Sequence, residues 1–175
     1  MNNEQYGASL LQRAKAILLQ PRAEWPVIEA ETTSIASLYK SYILPLAAIG
    51  PVAGFIHAVV FGNSFFGITH RPSFMSALSS AVVSYIFTLI GVFLMALVID
   101  FLAPRFGGTA NRNNAFKLAA YSATAAWVAG AFQLIPGLGM LAILGLYGLY
   151  LLFVGIPVMM KAPEDKALIY TGAIL

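Results

Sequence analysis

Few residues in this chain have the types and spacing for chemistry, and they cluster around Asp100. It is the only acidic residue between Glu31 and Glu164, and Pro104, Arg105, Gly107, Gly108 and Lys117 follow it closely. A carboxylate at the C-terminal end of an apolar helix opposes the helix dipole and calls for a cation nearby. Arg105 or Lys117 could supply that charge. Two roles are open to the set: closing a charged hairpin, or a functional one, in which Asp100 with Arg105 recognises a charged partner or lipid headgroup or gates a polar path. Tyr121, Ser122 and Thr124 add hydroxyls beyond Lys117. Together with Ser80, Ser84, Tyr85 and Thr88 they could line a polar path, or bridge neighbouring helices as such groups commonly do. His57 is open to the same two readings, a proton relay or a hydrogen-bonded packing residue.

The enzyme patterns fail one by one. His57 and His70 stand thirteen residues apart with no carboxylate between them, so a metal-binding HExxH element is absent. Gly107-Gly108 lacks the Lys-Ser/Thr continuation of a phosphate-cradling loop, and no GxSxG or dinucleotide fingerprint occurs. Asp100 has no second acid for paired-carboxylate catalysis. With no cysteine there is neither a thiol nucleophile nor a thiolate metal site. The expectation is a protein that is not an enzyme, with no catalytic residues, no metal and no cofactor.

The elements that must position these residues are membrane helices. The chain is 59% hydrophobic and 10% charged, with a mean hydropathy of +0.80, against roughly 45–50% apolar and about 25% charged in soluble domains. Its net charge of +3 comes from cations that flank apolar runs. That distribution suits anchoring in a bilayer and gives no reason to expect nucleic acid as a partner. No short apolar run with a small-residue cleavage site opens the chain, so a removable signal peptide is not expected.

Residues 1–41 read as a cytoplasmic or interfacial amphipathic segment. Leu10, Leu11, Ala14, Ile17 and Leu18 share one helical face, with Gln12, Arg13 and Lys15 outside it. Such a helix lies on a membrane surface or packs on the bundle's own cytoplasmic end. Pro21 ends it, and Trp25 beside Pro26 is expected at the headgroup level as a membrane anchor. Hydroxyls from Thr32 onward then cap a short approach to the bilayer.

Residues 42–175 read as the transmembrane domain. Spans are expected at about 43–61, 76–99, 116–135 and 138–159, joined by a loop over 62–75 and a tight turn at Pro136-Gly137, with a fifth begun near 168 and cut off at Leu175. Pro45 and Pro51 predict a kinked first span. Gly50, Gly54 and Ala58 predict a close helix approach within the chain or in a homo-oligomer. The fold class is therefore all-α: a polytopic helical bundle of four complete spans and the start of a fifth, with an amphipathic N-terminal helix. A cytoplasmic N-terminus leaves nine of the ten cations on the cytoplasmic side and Arg71 alone opposite.

The order and spacing of several short motifs resemble the Yip family, the Ypt-interacting-protein-like polytopic membrane proteins, in a compact bacterial form. The motifs are Pro21-x-x-x-Trp25, Pro45-Leu46 with Ile49-Gly50, the run from Asp100 to Gly108, and Lys117-Leu118 with Tyr121-Ser122. Tyr147-x-x-Tyr150, Gly155-x-Pro157 and Pro163-Glu-Asp165-Lys166 leading to Tyr170-Thr171 continue the match. The resemblance implies five membrane helices, a cytoplasmic N-terminus and a bacterial inner-membrane location. In eukaryotes the family is associated with Rab-type GTPases. This chain departs from those members in lacking a long N-terminal segment with an Asp-Leu-Tyr-Gly-Pro-like motif, and in placing Ala120 before Tyr121 where they carry Gly. The expected function is a membrane scaffold or adaptor that offers the Asp100–Lys117 region to a membrane protein, cytoplasmic protein or lipid partner. The alternative is a small-solute or ion transporter using Ser84, Thr88 and Thr124.

Overall fold

The computed structural model describes residues 3–65 and 68–174, with side chains described for 10–62 and 71–174. The chain opens with two short helices, α1 (Asn3–Leu19) and α2 (Pro21–Ala30), folded into a hairpin at Gln20. Pro21 opens α2 in its first turn, where the missing N–H costs nothing. Sequence reading passed over α2, because Pro26 inside so short a segment argues against a helix. On α1 the buried face holds Ala14 and Ile17, and Leu11 points away from the protein at 69% exposed. Of the two readings of this helix, the contacts match packing on the bundle. The pattern from residue 6 lies partly outside the described side chains, as do His70 and Leu175.

The first long helix, α3 (Ile35–Val60), begins earlier than expected. Ser34 caps it, its hydroxyl accepting from the Ser37 amide at 3.2 Å. A wide π turn over Tyr39–Ile43 precedes Pro45, with the Leu44 amide reaching back to the Tyr39 carbonyl. It spares the Pro45 ring a clash with the preceding turn. Residues expected to form a plain loop include a small antiparallel pair, β1 (Asn63–Phe65) and β2 (Ile68–His70). Then α4 (Phe74–Leu102) crosses back, capped by Ser73 and extended by a 3-10 turn over Ala103–Phe106.

The next helix, α5 (Arg112–Ala129), starts at the Asn111 cap and tightens into a 3-10 turn over Gly130–Leu134. Thirteen of its 18 residues are buried, so α5 is the axis on which the other elements pack. A 3-10 stretch over Leu138–Leu146 leads into α6 (Tyr147–Met159). Close approach explains the small residues here: a Cβ on Gly148 would lie 2.7 Å from the Ser122 carbonyl, and one on Gly145 would lie 3.0 Å from Ala126 Cα. The final helix, α7 (Glu164–Ile174), carries Glu164 and Asp165 in its first turn, where they complement the dipole. Tyr170 anchors it by stacking on Phe106 at 4.9 Å and donating to the Ile99 carbonyl.

The fold is all-helical apart from the small β pair. Among the described residues, three stretches are long and apolar enough to cross a membrane: Ile35–Val60, Phe74–Phe106 and Leu138–Met159. The helix α5 is not among them, because its polar residues lower its hydropathy. Large apolar side chains on α4, among them Val83, Phe87 and Leu94, face outward. An apolar belt of that extent needs lipid or a partner around it.

Candidate functional site

The Asp100 region is built by the end of α4, the 3-10 turn and the start of α5. The Asp100 carboxylate is 20% exposed and lies 3.8 Å from the Arg112 guanidinium. Its other oxygen is buried without a partner among the described residues. The expected partners stand elsewhere. Arg105 is exposed, its guanidinium 4.1 Å above the Phe101 ring, beside an exposed Pro104. Gly107 takes the left-handed conformation at φ 79° that closes the turn. Gly108 is pressed against the chain: its Cβ would fall 2.6 Å from the Met160 carbonyl, and Thr109 donates to that same oxygen at 2.7 Å.

Lys117 does not compensate Asp100. It is 1% exposed, and its ammonium donates to the carbonyls of Ile28, at 2.9 Å, and Glu31. A cation there satisfies carbonyls that the end of α2 leaves open. One turn along α5, Tyr121 packs edge-on to Trp25 at 6.4 Å and against Tyr42 at 4.5 Å. Thr124, on the same stripe, shares a 2.8 Å hydrogen bond with the Tyr42 hydroxyl.

Trp25 is corrected from membrane anchor to core residue. It is fully buried, wedged where Gly155 leaves room: a Cβ on Gly155 would lie 2.6 Å from the Trp25 ring and 2.5 Å from Leu118. An interfacial anchor needs an exposed ring at the headgroups, and this ring has none. Its indole N–H has no partner among the described residues.

Sequence reading missed the charge cluster that holds the N-terminal hairpin. Arg13 bridges Glu24 and Glu31, with the three side chains 16–32% exposed. Burial lowers the Arg13 pKa, but Glu31, Tyr121 and Glu24 outweigh it and leave the value raised. The sequence reading set Arg13 outside the apolar face of α1, but its four-residue spacing from Ile17, which the structure buries, puts it at the edge of that face. Beside this cluster, Lys161 takes φ 55° after α6 and reaches Glu29 at 3.1 Å.

The proposed path residues separate. Ser84 and Thr88 line a groove of about 700 Å³ between α3, α4 and the end of α5. Thr124 is fully buried away from it, and Asp100 is not among its lining residues. A second cleft, of about 500 Å³, lies at the cation-rich end between Glu29–Ile35 and the start of α5, with Lys117, Asn111 and Asn114 in its wall. Among the described residues no three His, Asp or Glu side chains come together as a metal site requires.

Comparison with known proteins finds membrane proteins as relatives. The chain is 29% identical over 160 residues to the inner membrane protein YohC of Escherichia coli strain K12, covering 89% of this chain and 82% of that one. The YohC of Escherichia coli O6:H1 strain CFT073 gives the same figures. No solved structure matches. The Yip1 domain matches residues 15–175, nearly the whole chain, and the protein belongs to the Yip1 family of membrane proteins.

Proposed function

We propose that the protein is a non-enzymatic scaffold of a bacterial inner membrane, which engages a protein or lipid partner at its cytoplasmic face. The observation that carries this reading is how the polar groups of α5 are used. Lys117, Tyr121 and Thr124 are buried and bonded or stacked within the protein, while Pro104 and Arg105 stand exposed on a turn locked to Met160. The turn and the neighbouring cleft form a rigid, charged face suited to recognition. In this reading α5 is a fourth crossing, shielded from lipid by its neighbours, and α7 begins a fifth. The cation distribution supports a cytoplasmic N-terminus. The inner-membrane assignment draws on the name of YohC.

Photo-crosslinking from the 104–105 turn in native membranes tests the proposal. Arg105→Ala is expected to reduce one reproducible protein or lipid adduct about tenfold, as loss of a charge-assisted contact would. Unchanged adducts would remove the turn from the function.

A second reading, transport of a small solute, is favoured by one observation: the hydroxyl-lined groove beside Ser84 and Thr88. The bends of α3 at Pro45 and Pro51 are where such a protein would flex.

A further inference from the structure

The groove continues beyond Ser84 and Thr88. Ser76, Ser80, Ser84 and Thr88 recur at four-residue intervals on α4 and all line it, opposite Gly50 and Gly54 of α3. At 1.5 Å per residue this hydroxyl ladder runs about 18 Å along the helix. A second cavity of about 410 Å³ adjoins it, sharing Gly54 and Gln133 and adding His57. Gly54 makes room for the Gln133 amide at the junction, where a Cβ would lie 3.2 Å from its oxygen. The His57 Nδ1 is buried without a partner among the described residues.

The inner end is closed. The Tyr85 hydroxyl donates to the Leu44 carbonyl at 2.9 Å and Tyr39 donates to the Leu89 carbonyl at 3.4 Å, tying α3 to α4 on either side of Thr88. The helix α3 also crosses the end of α5 with backbones touching, since a Cβ on Gly130 would fall 2.8 Å from Gly50 Cα. At the other end the lining reaches Pro72 and Ser76, beside the β pair.

We propose that these joined cavities are a vestibule that opens at the β-pair end and binds uncharged, hydroxyl-bearing solutes of the small polyol class. No Asp, Glu, Lys or Arg is among the described lining residues, so a formal charge would enter without a counter-ion. The Thr88 hydroxyl is satisfied by donating to the Ser84 carbonyl at 2.9 Å, but the buried His57 Nδ1 has no partner among the described residues, and an acyl chain offers it none. Water and neutral hydrogen-bonding molecules supply that partner and also bond the free lone pairs of the ladder hydroxyls. The aromatic faces of Phe55 and Trp127 supply an apolar wall for the carbon skeleton. This deepens the transport reading but requires only entry and binding.

The absence of cysteine makes the test clean. Single variants S80C and S84C, with S76C and T88C as further positions, are reconstituted and treated with hydroxyethyl methanethiosulfonate from either side. V83C and F87C report the lipid-facing surface of α4, and R71C reports the β-pair side. S80C and S84C are expected to react about tenfold faster than V83C and F87C, because thiolate forms in water and is suppressed in apolar surroundings. The reaction is expected only from the side where R71C reacts. Relative to R71C, the anionic sulfonatoethyl and cationic trimethylammonioethyl reagents should be disfavoured. Rates matching V83C, equal reaction from both sides or a preference for a charged reagent would overturn the proposal. Glycerol flux in the same liposomes reads the transport reading separately: rapid S84C labelling without flux would sink transport and leave the vestibule standing.

Discussion

At the scale of single residues, the protein is governed by how closely its helices approach. Gly155 is the clearest case, because the Trp25 ring and Leu118 occupy the space a side chain would need. Gly155→Ala is expected to lower stability by about 1–3 kcal/mol through overpacking. Gly139→Ala, where no atom lies within 4 Å of the added Cβ, should stay within about 0.5 kcal/mol. Thermal unfolding in detergent compares the two, and equal losses would show that the Trp25 wedge does not constrain the site. Only part of this was legible beforehand. Gly155 stood out in a motif, and Trp25 stood out as an amphipathic ring beside a proline. Whether such a ring faces headgroups or a glycine notch depends on which helix lies across from it.

At the scale of elements, the N-terminal hairpin is held by three devices: the Arg13 bridge to Glu24 and Glu31, the Lys117 grip on the end of α2, and the Trp25 wedge. Arg13→Met removes the first and leaves two half-buried carboxylates without their cation. The expected cost is about 2 kcal/mol, between the value of an exposed pair and that of a buried one. Hydrogen exchange should show α1 and α2 opening faster while α4 and α6 keep their protection, and uniform protection would show the bridge to be dispensable. The raised pKa of Arg13 makes its contribution complete below the ordinary arginine value, and it is lost only as pH rises through the still higher value in the folded protein. Arg13 therefore does not loosen the hairpin as pH varies around neutrality. The cap at Ser34 was readable among the hydroxyls from Thr32 onward, because a cap acts within its own first turn, whereas the equally local cap at Ser73 was passed over as loop. The partnership of Arg13 with Glu31 spans 18 residues and a reversal of the chain.

At the scale of the whole molecule, the charges are polarised between two ends. Arg71 lies beside the β pair, while Arg105, Arg112, Lys161 and Lys166 lie near the ends of α4 and α6 and the starts of α5 and α7. Under the proposed topology R71C and K166C react with an impermeant thiol reagent from opposite sides of the membrane, K166C from the cytoplasmic one. Reaction of both from one side would overturn that topology.

The sequence by itself determined the all-helical membrane class, the breaks at Pro21 and Pro136-Gly137, and the apolar stretch Leu138–Met159 to the residue. Hydropathy, capping and chain breaking act over one or two turns, so a local stretch carries them whole. The tertiary structure alone decided which polar groups meet. Lys117 answers carbonyls 86 and 89 residues away rather than Asp100 seventeen residues before it, and Thr124 joins Tyr42 rather than Ser84 and Thr88. In a bundle whose helices are apolar on most sides, hydrophobicity sets rotation only weakly. Side-chain volume at the crossings, glycine against tryptophan and glycine against glycine, fixes which face of each helix turns inward.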